Sequence, residues 1–174
     1  WLRIPIGLYD APAQQAQGVQ YLDLAADGHC GIYGAPSTGK TSLLMSIVWA
    51  LGRFYSPEDV NIYILDCGGW AMNIFAGLPH VGGVALDCEE EKFQKLGQML
   101  TDEIANRKKS FLKSGVSSLT AYRQVHGGKM PAIILVIDNI IPVFEQYPDM
   151  EPVLAAIARE GATYGIYLIY TANN

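Results

Sequence analysis

Apolar residues fall along this chain in two rhythms. One is the short aliphatic or β-branched run, seen at His29–Tyr33, Val60–Leu65, Ala132–Ile137 and Ile166–Thr171. Each has the length of a strand, and Ala132–Ile137 (AIILVI) has no polar position, as a strand covered on both faces requires. The other rhythm is helical. Leu43, Leu44, Ile47, Val48 and Leu51 predict a helix from Lys40 to about Phe54, which Ser56-Pro57 interrupts. Phe93, Leu96, Leu100, Ile104 and Phe111 stripe a long amphipathic helix over Glu89–Lys113. Ser117–Val125 predicts a shorter helix closed by Gly127-Gly128, and Val153–Ile157 belongs to another that closes near Gly161 or Gly165. The segments Leu2–Leu8 and Val19–Leu24 flank a polar stretch, Asp10–Gly18, and predict a hairpin on an edge of the main body. Cys67–Gly83, with five glycines and a proline, reads as a loop holding one short helical turn.

Strands alternating with helices predict an α/β protein whose mostly parallel sheet carries helices on both faces. A length of 174 residues predicts one domain spanning 1–174. The chain stops just beyond its last predicted strand, so the remaining elements of such a fold are expected to lie outside it.

Composition narrows the partners. Half the residues are apolar, enough for a sizeable core, while charged residues make up 17% against a usual ~25%. Such a charge-poor chain with ten tyrosines is expected to keep part of its surface against neighbouring domains. Twelve Lys and Arg against seventeen Asp and Glu leave a net charge of −5, which offers no electrostatic reason to bind nucleic acid or an anionic membrane. Cys30, Cys67 and Cys88 form no CxxC pair and no disulfide framework, which favours a reducing compartment, and the three histidines show no metal-ligand spacing. Trp1–Gly7 has no signal-peptide pattern, and the apolar stretches Leu43–Leu51 and Ala132–Ile137 are too short to span a bilayer. A soluble piece is expected.

The chemistry is concentrated in one string. Gly34-Ala35-Pro36-Ser37-Thr38-Gly39-Lys40-Thr41 fits GxxxxGK[ST] and lies after a short strand and before an apolar-periodic helix. Its glycines let the backbone wrap so that successive N–H groups face phosphate oxygens, and the helix N-terminus adds partial positive charge. Lys40 is placed to meet β- and γ-phosphates of ATP, the Thr41 hydroxyl to ligate Mg²⁺, and Ser42 continues the cradle. A carboxylate at a strand end must complete the metal site. Asp138, after Ala132–Ile137, is the stronger candidate because its strand is more fully apolar and so more central; Asp66, closing Val60–Leu65, has the same form. The residue after Asp138 is Asn139, where many ATPases carry a glutamate that polarises the attacking water. An amide takes no proton at neutral pH, and loss of a general base typically costs ~10²–10⁴ in rate. Glu145, seven residues on, is the nearest substitute. A nucleotide site with very slow hydrolysis is expected.

Together these residues resemble the FtsK/SpoIIIE-type ATPases, and more narrowly the tandem ATPase domains of the type VII secretion motors EssC and EccC. The marks are Ile4–Gly7 (IPIG), Tyr21–Leu24 (YLDL), Leu65–Gly69 (LDCGG), Leu78–Ala85 (LPHVGGVA), Val136–Asn139 (VIDN) and the closing Thr171–Asn173 (TAN). The resemblance covers nearly the whole chain and implies a three-layer P-loop fold of RecA/FtsK type. Asn173 falls where that family keeps a polar γ-phosphate sensor. Asp138-Asn139 departs from the family's Asp-Glu, and the usual arginine before the last strand falls at Ala162, with Arg159 the nearest arginine. Both departures resemble the C-terminal, degenerate ATPase domains, which bind nucleotide, regulate the motor and dock secreted WXG100-type proteins through a C-terminal signal. The resemblance also implies neighbouring ATPase domains on the same polypeptide, a cytoplasmic position in a membrane-anchored bacterial protein, and a homo-oligomer, such as a hexamer, for the full-length motor. An active DNA translocase and a nucleotide-free scaffold are the alternatives.

Four smaller features complete the reading. Trp70 is expected to cover local core, and Cys67 to be an inert buried thiol despite His80 nearby in sequence. Arg107-Lys108-Lys109 is expected on a solvated helix face, and His126 at a helix end.

Overall fold

The computed structural model describes residues 1–128 and 130–173. Its centre is β6 (Ala132–Asp138), whose seven residues are all buried. With no polar side chain before Asp138, this strand gains most when both faces are covered, and it sits third in a five-stranded parallel sheet. In chain order the sheet is built from β3 (Cys30–Gly34), β4 (Val60–Asp66), β5 (Val81–Leu86), β6 and β7 (Ile166–Asn173), in the spatial order β3-β7-β6-β4-β5. The register aligns Asp66 with Asp138 and Gly34 with Asn173, so the polar strand ends gather at the C-terminal end of the sheet.

Alternation along β6 divides the core. Ile134 and Val136 face α2 (Lys40–Phe54), which contributes Leu44, Ile47, Val48 and Leu51. Ile133, Leu135 and Ile137 face α3 (Glu90–Ser114) and α6 (Met150–Glu160), with Phe93, Leu100, Ile104, Leu154 and Ile157. The layers are therefore helix, sheet, helix, an α/β P-loop-type architecture. The short helices α1 (Leu24–Asp27), α4 (Leu119–Val125) and α5 (Ile141–Gln146) fill the margins. β1 (Arg3–Ala11) and β2 (Ala16–Asp23) pair antiparallel in a two-stranded sheet of their own; Ile4 of β1 and Leu2 just before it are buried in the α2-side core.

Two expectations are corrected. Part of the stretch assigned to loop is β5, an edge strand in which only Val84 and Ala85 are buried and whose other half is Val81, Gly82 and Gly83. Arg107, expected on a solvated face, is 1% exposed. Its guanidinium donates to the carbonyls of Tyr164 (2.8 Å) and Pro131 (2.8 Å) and to Glu103 (2.7 Å), so it ties α3 to the segments that lead into β6 and β7. Burial lowers its pKa, and the Glu103 carboxylate partly opposes that.

Candidate nucleotide site

β3 ends at Gly34 and α2 begins at Lys40, with five residues between them. Between them Ser37 (φ 63°) and Gly39 (φ 89°) are both left-handed, a combination that turns successive N–H groups into one concavity. Gly39 stands in open space, so its conformation alone demands glycine there. No side chain caps α2, which leaves its first-turn N–H groups facing the loop. The loop is internally braced. Thr38 donates its hydroxyl to the Ala35 carbonyl (2.8 Å), and the Lys40 ammonium lies across the loop on the carbonyls of Gly34 (3.0 Å) and Ala35 (2.7 Å).

Opposite the loop, Asp138 is 2% exposed. Its carboxylate accepts from the Thr41 hydroxyl (2.9 Å) and from the Thr171 hydroxyl (2.7 Å). Asp66, the competing carboxylate, has a different task. It accepts the N–H groups of Gly68 (3.0 Å), Trp70 (3.1 Å) and Met72 (2.9 Å), which holds the turn after β4, while the Thr41 hydroxyl goes to Asp138. Gly68 of that turn lies directly on Asp138; a methyl at Gly68 would stand 2.3 Å from the carboxylate.

These segments enclose a cavity of about 400 Å³. Of the residues expected to bind nucleotide, Pro36, Ser37, Gly39, Lys40, Thr41, Ser42 and Asn173 line it, as do Asp138 and Asn139. Gly34, Ala35 and Thr38 do not; their carbonyls and hydroxyl brace the loop from behind. Gly68, Thr171 and Ala172 line the cavity without having been anticipated. Asn139 adopts a left-handed backbone (φ 62°), its N–H donates to the Thr171 hydroxyl (2.7 Å), and its side-chain carbonyl is buried without a partner. Lys40 and Asp138 are the ionisable residues among those lining the cavity. Glu145, the suggested substitute base, is exposed on α5 and is not among them. Arg159 is exposed on α6, which leads into β7 at the sheet's other end from the phosphate loop.

The donor set suits Mg²⁺. One buried carboxylate beside a hydroxyl gives hard oxygen ligands, and magnesium is usually held this way together with substrate phosphates and water. No group of three or more His, Cys, Asp or Glu that would make an all-protein metal site occurs among the described residues. Cys67 is inert. Burial, and then the nearby carboxylates of Asp87, Asp66 and Asp138, push its thiol up to about 12, and His80 instead bonds the Tyr55 carbonyl (2.8 Å). Trp70, expected over core, is 52% exposed, and its indole N–H is held by Asp87 (2.9 Å).

A parallel sheet whose first core strand runs through a glycine-rich loop into a helix, with a Thr–Asp pair across the loop, defines the class as a P-loop protein of the ATPase type. The chain belongs to the FtsK/SpoIIIE family, whose model matches residues 4–174. It is 33% identical over 168 residues to the ESX secretion system protein EccC of Geobacillus thermodenitrificans, covering 97% of this chain and 11% of that protein. The solved structure of ATPases 2 and 3 of EssC from Geobacillus thermodenitrificans superimposes with a TM-score of 0.93 at 32% identity, over 100% of this chain and 33% of that one. ATPases 2 and 3 of Thermomonospora curvata EccC, solved in complex with a signal sequence peptide, give 0.92 at 29% identity, over 99% and 32%. This chain thus spans about a tenth of the curated relative and a third of each solved chain. No helix among the described residues is long and apolar enough to cross a membrane.

Proposed function

We propose that this chain is a nucleotide-binding domain of a type VII secretion motor, one that holds ATP with Mg²⁺ and hydrolyses it very slowly. Lys40 and the N–H groups of the loop and of the α2 N-terminus bind the phosphates, while Thr41 and Asp138 hold the metal. When bound, Mg²⁺ neutralises charge on the β- and γ-phosphates. Asn173 at the end of β7 meets the γ-phosphate side. The observation that carries the slow-hydrolysis reading is the lining itself: beyond Asp138, which is engaged by two hydroxyls, it offers no carboxylate or imidazole to accept the proton of an attacking water. The buried carbonyl of Asn139 can orient that water without deprotonating it.

A phosphate-release assay tests this. Turnover at background is expected, with Asn139→Glu raising it only slightly, because no arginine lines the cavity among the described residues and such a residue is worth ~10³–10⁵. Wild-type turnover near ~1 s⁻¹, within the ordinary enzymatic range, contradicts the proposal.

The docking role is drawn from the Thermomonospora curvata relative solved with a signal sequence peptide. By that likeness the domain engages a signal sequence peptide; that the signal is the C-terminal one of WXG100-type proteins, and that the domain regulates its motor, are proposed from the resemblance to type VII secretion ATPases. Cognate tails are expected to bind with at most micromolar strength, since ordering a short peptide opposes binding. Fluorescence anisotropy showing no saturable binding for any cognate tail removes that role. Membrane anchoring and a homo-oligomeric assembly belong to the same proposal for the longer protein.

A further inference from the structure

From the geometry around β7 we infer that Thr171 is a positioning residue for the metal half of the nucleotide site. The inference rests on the nucleotide reading above and goes beyond it, because Thr171 belongs neither to the phosphate loop nor to the Asp138 strand. It lies on β7, the strand between β3 and β6, and is 1% exposed. A hydroxyl buried that deeply must be hydrogen-bonded, and this one is used twice. It donates to Asp138 Oδ1 (2.7 Å) and accepts the Asn139 N–H (2.7 Å). Its backbone carbonyl accepts a third bond, from the Ile140 N–H (2.9 Å).

Three consecutive residues, the last of β6 and the two that follow it, are therefore fastened to one residue of the neighbouring strand. The consequences fall on two groups. Asp138 is oriented so that the Thr41 hydroxyl is shared between its two oxygens, nearer to Oδ2 (2.9 Å) than to the Oδ1 that Thr171 holds (3.1 Å). Asn139 has a left-handed backbone, a state open to asparagine more readily than to most residues and here fixed by the bond from its N–H to Thr171, and its unpartnered carbonyl lies at the cavity. Thr171 touches neither phosphate nor metal in this scheme; it acts through Asp138 and Asn139, as outer partners of a metal ligand do.

The test compares wild type with Thr171→Val, which keeps the shape and removes the hydroxyl, with Thr171→Ala, which leaves room for a water, and with Thr171→Ser, which restores the hydroxyl. A fluorescent ATP analogue is titrated into each, once with Mg²⁺ and once with EDTA, after circular dichroism has verified the fold. Loss of an outer partner typically lowers metal affinity ~10–100-fold. The expected result is therefore a Mg²⁺-dependent gain in affinity cut roughly tenfold or more in Val and Ala, near wild type in Ser, with unchanged affinity in EDTA. Equal weakening with and without Mg²⁺, or a Val variant that binds like wild type, overturns the inference and leaves the nucleotide site standing. Absence of saturable binding by wild type refutes the nucleotide reading and the inference with it.

Discussion

Replacing Gly68 by alanine probes the packing of the site most sharply, because the perturbation is a single methyl with a single target. The backbone at Gly68 has no left-handed strain to confuse the result; what a Cβ meets is the Asp138 carboxylate, at 2.3 Å from Oδ2 and 2.6 Å from Cγ. Ordinary contact between such atoms needs about an ångström more. Neither side yields easily. Asp138 is held by the hydroxyls of Thr41 and Thr171, and the Gly68 turn is held by the Asp66 carboxylate through three N–H groups. Overpacking of this kind costs ~1–3 kcal/mol, and each kcal/mol moves the melting temperature of a domain this size by ~2–4 °C, so a fall of roughly 2–12 °C is expected. Thermal unfolding of wild type, Gly68→Ala, Asp138→Ala and the double variant closes a cycle. With the carboxylate gone, Gly68→Ala is expected to cost close to nothing. Gly69→Ala is the control: it sits at φ 117° in open space, so its strain is conformational and Asp138→Ala does not relieve it. Equal costs of Gly68→Ala in both backgrounds would refute the proposed contact.

Two further predictions concern the frame around the site. His29 accepts the Leu168 N–H on Nδ1 (3.0 Å), and burial lowers its pKa. A histidine whose folded pKa lies below its unfolded value binds fewer protons when native, so its neutral state supports the fold above about pH 6.5, and that support is lost as pH falls through the folded pKa. Urea unfolding across this range is expected to show the decline, and His29→Asn to flatten it; an unchanged slope contradicts the assignment. Arg107→Met leaves Glu103 and the carbonyls of Tyr164 and Pro131 without their partner, at an expected cost of about 3–5 kcal/mol by urea unfolding. Arg107→Lys is expected to recover only part, since an ammonium does not reproduce the planar fork; full recovery contradicts that geometry.

Legibility from the sequence followed how directly a residue's type announces its environment. β6 was legible because an unbroken apolar run has few other uses, and the phosphate loop because its defined positions all carry a steric or electrostatic demand. β5 was not: Gly82 and Gly83 lower strand propensity, and an edge strand buries too little to show alternation. Arg107 was misread by type rather than by position. It shares the helical face of Leu100, Ile104 and Phe111, so the spacing already placed it inward, but its charge suggested solvent. Thr171 and Gly68 gave almost no signal, since a threonine ending a strand and a glycine beginning a turn are ordinary. What they do depends on β7 lying beside β6 and on the Asp66 turn reaching Asp138, and no local pattern encodes either. Asp66 and Asp138 look alike in sequence, and hydrogen bonding separates them: three backbone N–H groups for one, two hydroxyls for the other.

The central claim is that Mg²⁺·ATP occupies the cavity between the phosphate loop and Asp138. Its most direct measurement is the titration of wild type and Lys40→Ala with a fluorescent ATP analogue in Mg²⁺. The account predicts saturable binding, one nucleotide per chain, weakened at least about tenfold in Lys40→Ala, because a charge-assisted contact to phosphate is worth more than ~1.4 kcal/mol. No saturable binding by wild type at millimolar nucleotide, or equal binding by the two proteins, would contradict it.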